Sequence, residues 1–156
     1  MVYPPQGAGI IREIVERDVL GTTRQYFRID FVLGDMAVLV PLDKSNDVGL
    51  RKAIDAAEIP LIRTALNEGD AAMPESWQAR NRLQKTIIEK GYAHEIAHLI
   101  GALAKREVER GLAATELELY HDARQFLAAE ITLALDLPWN DCTANLVDQV
   151  QDGTVG

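Results

Sequence analysis

The segment His94-Glu95-Ile96-Ala97-His98 carries the residue types of a hydrolytic metal site at the spacing such a site needs. On a helix, positions i and i+4 share a face, so both imidazoles can hold one zinc ion while the intervening carboxylate activates a metal-bound water. Glu118, twenty residues beyond His98, is available as a third ligand. Against this reading, nothing downstream strengthens the pattern beyond an acid that any acidic helix supplies. No evident edge strand precedes it to hold a peptide substrate. The run is also a plain amphipathic helix, whose apolar face Ile96, Leu99, Ile100 and Leu103 accounts for the sequence without metal. Cys142, the single cysteine, has no nearby His or second Cys to activate it. Gly7-Ala8-Gly9 is too short for a phosphate loop and does not open a helix, and no nucleophile elbow occurs. The chain is therefore read as a non-enzyme with no metal and no cofactor. A zinc-dependent hydrolase using His94, Glu95 and His98 is the enzyme alternative.

Trp77 offers a different chemistry. It follows Pro74-Glu75-Ser76, so it falls in the first turn of a helix that Ser76 caps. Buried, it is a core residue packed on a neighbouring helix. Exposed, it is a wedge that can unstack a base step from the minor groove, or a flat surface on which a base can stack. Arg80 and Arg82 follow closely and can reach phosphates. At 3.6 residues per turn these two arginines point roughly 160° apart.

Two groups of elements must position these residues. Residues 2–52 read as β. Ile10, Ile11, Ile14 and Val15 lead to a turn at Leu20-Gly21-Thr22, and Tyr26 to Val32 alternates as a half-buried strand. Gly34-Asp35 turns into a strand over Met36 to Val40, stopped by Pro41. Short strands between glycine turns indicate a small barrel. From about residue 55 the apolar period becomes helical. One helix carries Ile59, Ile62 and Leu66, with Pro60 in its first turn and Gly69 beyond its end. A second runs from Ser76 to about Lys90, ended by Gly91, and a third spans about Ala93 to Arg110, closed by Gly111. A fourth spans about Ala114 to Leu135, with Thr115 and Glu118 at capping-box spacing and Leu117, Tyr120, Leu127, Ile131 and Leu135 on one face. A fifth runs from Pro138 to about Val150, with Trp139 as an apolar anchor. The fold class is α+β, with a β domain at 1–53 and a helical domain at 54–156.

The net charge of −8 argues against a protein whose affinity rests mainly on DNA phosphates. The charge is uneven. Residues 78–110 carry seven Lys/Arg against four acids, and beyond Gly111 a single arginine, Arg124, faces eight acids. A mildly basic middle allows local DNA contact if affinity comes from elsewhere. No apolar run approaches the roughly 20 residues that span a membrane, and no basic-then-apolar leader is seen, so neither membrane insertion nor export is expected. One cysteine fits a reducing compartment.

Taken in order, Val2-Tyr3-Pro4 with Gly7 and Gly9, Tyr26-Phe27 with Ile29, Val40-Pro41, and Val48-Gly49-Leu50-Arg51 resemble the RNA-polymerase-interacting domain shared by the CarD/CdnL transcription regulators and transcription-repair coupling factor. Trp77 with Arg80 and Arg82, Glu107-Val108-Glu109-Arg110-Gly111-Leu112, and Ala123-Arg124 with Leu127 look like the CarD helical domain. The resemblance covers about residues 2–135.

The resemblance implies a Tudor-like (SH3-like) barrel that binds the RNA polymerase β subunit by strand addition, and four to five helices that touch promoter DNA. It places polymerase contacts at Arg17, Leu39, Val40 and Arg51. It places DNA contacts at Trp77, Arg80, Arg82 and Lys85, with Trp77 wedged into the minor groove at the upstream edge of the transcription bubble. A monomer in the cytoplasm, on the nucleoid through polymerase, is expected. A protein-interaction module that makes no DNA contact, with Trp77 in its core, is the remaining alternative. Three departures from the family pattern stand out. The chain starts directly at Met1-Val2, so the first strand looks clipped. Leu39 stands where some members have an arginine. Ala113 stands where a capping serine is usual, leaving Thr115 to take over that cap.

Overall fold

A computed structural model describes residues 1–69, 74–139 and 145–154. Four antiparallel strands, β1 (Val2–Tyr3), β2 (Gly7–Val19), β3 (Thr22–Phe31) and β4 (Ala37–Pro41), form one sheet in sequence order. Five helices follow: α1 (Ile59–Glu68), α2 (Trp77–Lys90), α3 (Ala93–Arg110), α4 (Ala114–Ala134) and the short α5 (Leu146–Gln151). The α+β class with a Tudor-like β unit ahead of the helices holds.

The long β2–β3 hairpin turns at Leu20 (φ 52°) and Gly21 (φ 79°), two left-handed residues in a row. That conformation matches the right-handed twist of the flanking strands. Alternation puts Ile29, Phe31 and Val40 on one face, where with Leu50 they form a small core; Arg17, Leu39 and the charged residues Arg24 and Arg28 lie on the other. The bulge at Arg12 lets both halves of β2 keep register with β3. β1 is only two residues long. Even so, Val2 is completely buried and hydrogen-bonds Arg51 in both directions, N to O at 2.7 and 3.0 Å.

The main core runs across the junction between strands and helices. Val2 and Ala8 belong to the same apolar cluster as Ile59, Ile62, Ile96, Ile100, Leu127, Ile131 and Val147. The Phe126 ring lies over Gly7, and Gly91 closes α2 at φ 70° in the space between Pro4 and Phe126. From Phe126 to Thr132 every residue of α4 is buried, because β2, α3 and α5 all pack against it. Arg124 ties α4 to α5 through two hydrogen bonds of 2.8 Å to Asp148, which raise the arginine above its ordinary range.

Two local expectations fail. α4 starts at Ala114 behind Ala113, with no side-chain cap; Thr115 is already inside the first turn and cannot cap it. Pro138 lies outside any helix and α5 begins only at Leu146; Trp139, expected as an apolar anchor, is 37% exposed. The intervening part of the expected fifth helix lies outside the described residues.

Gly69 and Gly101 bring α1 and α3 into backbone contact. A Cβ on Gly101 would fall on the Leu66 carbonyl and stand 2.9 Å from the Gly69 Cα. Gly101→Ala should therefore destabilise the protein by about 1–3 kcal/mol or more from overpacking, despite the roughly 1 kcal/mol that alanine gains within a helix. Urea unfolding checks this, and a variant at least as stable as wild type would contradict the close approach.

Candidate functional site

Ser76 caps α2 as expected, its Oγ accepting from the Ala79 amide at 3.5 Å, and Trp77 is the first helical residue. Trp77 is 48% exposed, which removes the reading that buries it in the core. The face of α2 that turns inward carries Arg80 and Gln84 and, nearer the C-terminus, the half-buried Ile87 and Ile88. The opposite face leaves Arg82 and Lys85 exposed. The large angle between Arg80 and Arg82 is thus one arginine in and one out.

Arg80, expected at DNA, is turned into the interior. It is 6% exposed. Its Nε and Nη2 donate to the two Glu116 oxygens at 3.3 Å each, and its Nη1 donates to the carbonyls of Pro74 (3.3 Å) and Glu75 (3.1 Å). These bonds leave it little to offer a phosphate. Glu116, itself buried, also accepts from Gln84 Nε2 at 3.4 Å and lies 3.6 Å from Arg106 Nε, an ion pair beyond hydrogen-bond reach. The segment leading into Trp77 is therefore held by one buried carboxylate on another helix.

The four residues expected at polymerase divide in the same way. Arg17 and Leu39 share the outer face of the sheet: Arg17 pairs across from Arg24, Leu39 from Arg28, and both are exposed. They stand four β3 positions apart, about 13 Å along the strand. Val40 faces the other way and is 3% exposed, so its side chain belongs to the barrel core. Arg51, also expected at polymerase, is engaged within the chain. It forms a fork on Glu130 (Nη1–Oε1 2.6 Å, Nη2–Oε2 2.7 Å) and donates to the Gly91 carbonyl at 3.0 and 2.5 Å. β4, last in the sheet order, pairs only with β3 among the described strands.

The two histidines of the H-E-x-x-H run lie half-buried on α3, whose inward stripe is Ala93, Ile96, Ala97, Leu99, Ile100 and Leu103. Among the described residues no group of three or more His, Cys, Asp or Glu stands close enough to hold a metal ion, so Glu118 is not brought to them. Glu116 and Glu130, the two acids that organise the interior, were not singled out in the sequence. They recur at seven-residue spacing with Ala123 (116, 123, 130), and all three are buried. An acid in such a stripe is the available signal.

Residues 61–147 match the model of the CarD C-terminal domain, and residues 1–54 match the CarD-like/TRCF RID domain, the RNA-polymerase-interacting module. The chain belongs to the CarD family of transcription factors. It is similar to the protein named Putative transcription factor YdeB of Bacillus subtilis (strain 168), with 28% identity over 131 residues covering 84% of this chain and 86% of that one. The family is a transcription-factor family with a polymerase-interacting domain, not a known enzyme family. No helix among the described residues is long and apolar enough to cross a membrane.

Removing one member of a buried ion pair typically costs about 3–5 kcal/mol, whereas a solvated surface change stays within about 0.5 kcal/mol. Arg80→Ala should fall near the lower end of the first range, since Gln84 and Arg106 still face Glu116, and Arg82→Ala within the second. Urea denaturation of the two variants checks this. Equal losses would contradict the opposite placement of the arginines.

Proposed function

We propose that the protein docks on the RNA polymerase β subunit through its β unit (1–53) and uses its helical unit (54–156) to hold promoter DNA open, with Trp77 in the minor groove at the upstream edge of the bubble. The observation that carries this reading is the half-exposed Trp77 at the start of α2, with Arg82 and Lys85 exposed on the same helix. Arg17 and Leu39 on the outer face of the sheet, with the main chain of β4, form the docking surface; strand addition uses that main chain, so Val40 contributes through its backbone.

The acidic chain has little affinity for DNA by itself, and docking replaces it with a high effective concentration. One aromatic–base stacking contact is worth about 1–3 kcal/mol. If made only in the open complex, it shifts the open/closed ratio by roughly 5- to 150-fold; contacts made equally in both states would shift nothing. The protein acts as a monomer in the cytoplasm, without a cofactor. Nothing in the geometry favours the hydrolase, since the histidine pair lacks a third ligand among the described residues.

Docking and DNA contact should separate by mutation. Arg17→Glu and Leu39→Glu should each weaken capture of the protein by immobilised polymerase about tenfold or more, a loss of roughly 1.4 kcal/mol or above. Trp77→Ala and Arg82→Glu should leave capture unchanged. Biolayer interferometry with purified polymerase reads all four, and loss of capture with Trp77→Ala, or none with the first pair, would overturn the assignment of surfaces.

A further inference from the structure

We infer that α4 is a strut that sets the span between the docking unit and the wedge, with Glu130 and Glu116 as its two fixing points; the inference rests on the proposed function for its purpose. Glu130 is completely buried and holds the β unit: it takes both arms of the Arg51 guanidinium and the Ile54 amide at 2.9 Å. Glu116 is 4% exposed and holds the lead-in to Trp77, taking Arg80, which in turn binds the Pro74 and Glu75 carbonyls. The two acids are separated by fourteen residues of one helix, a rise of about 21 Å, and lie within roughly 40° of the same face.

Each joint adds a polar pair whose direction apolar packing by itself would leave loose; at the β end that pair stands beside the apolar cluster of Val2, Ala8 and Phe126. The buried side chains of α2 are Arg80 and Gln84, and its apolar Ile87 and Ile88, nearer the C-terminus, are half-buried. At the other end, Arg51 is the residue that bridges back to Val2 of β1, so its guanidinium fixes the sheet itself and not a loose loop. A bidentate arginine–carboxylate pair fixes direction as well as distance, because its two parallel bonds tolerate little rotation. A wedge that must meet one base step while the β unit is seated on polymerase requires that kind of joint. Arg51, Glu130, Arg80 and Glu116 are positioning residues on this account, and none of them touches DNA or polymerase.

The test uses spin labels on the full chain with Cys142→Ser, at exposed positions: Gln25 in β3, Gln125 in α4 and Gln78 beside Trp77. Wild type should give narrow distance distributions for both the 25–125 and the 125–78 pairs. Glu130→Gln should broaden only the first and Glu116→Gln only the second, each by about twofold or more once the bidentate lock is gone. Arg51→Lys and Arg80→Lys, which keep the charge but lose the fork, repeat the test if a glutamine variant does not fold. If either joint's substitution leaves its own pair as narrow as wild type, or broadens both pairs together, the strut is overturned. These distances are read on the free protein, so they decide the strut even if polymerase complexes show no wedge.

Discussion

The carboxylate of Glu130 is closed off from water and receives three donors, two from Arg51 and one from the Ile54 amide. Burying a carboxylate costs several kcal/mol unless its oxygens are fully engaged, so this pair stands only because the geometry around it is nearly ideal. The requirement propagates. Arg51 reaches the acid only while its backbone is paired with Val2, and the same guanidinium also takes the Gly91 carbonyl that ends α2. One interaction thus brings together the first strand, the α2–α3 turn and the central helix. The apolar cluster around Val2, Ala8 and Phe126 supplies bulk stability at that junction, while the ion pair supplies its direction.

A second buried carboxylate, Glu116, gives the exposed tryptophan its place. Leaving a large aromatic half in water makes sense when another surface covers it in the working state, and Trp77 is not alone: Arg82 and Lys85 stand exposed on the same helix. An acidic chain with so small a basic surface is poorly suited to find DNA unaided, which fits a family built around a polymerase-interacting domain. On this view the sheet's outer face supplies binding, and the helical unit needs to contribute only the few kcal/mol that distinguish open from closed DNA.

Most element boundaries were legible because they are set locally. Ser76 frames α2 with its side chain, while Gly91 at its other end, Gly111 after α3 and Leu20-Gly21 in the first hairpin act by their own left-handed backbone. The exposure of Trp77 and Arg82 was also legible once the family resemblance was recognised. What was not legible depends on partners far away in sequence. Arg80 and Arg51 have the composition of surface contacts, and only Glu116 and Glu130, 36 and 79 residues downstream, turn them inward. The Thr115 cap failed because α4 starts one residue earlier, at Ala114, which puts Thr115 inside the first turn. The inward side chain of Val40 was not legible either, because it depends on Ile29, Phe31 and Leu50, which meet it only in the folded sheet.

The central claim is that Trp77 stabilises open promoter DNA. The most direct measurement is the lifetime of open complexes formed by the cognate polymerase without the protein, with wild type and with Trp77→Ala. Wild type should lengthen the lifetime, and Trp77→Ala should lose most of that effect while polymerase binding persists. A Trp77→Ala protein as effective as wild type, or a wild type without effect, would contradict it.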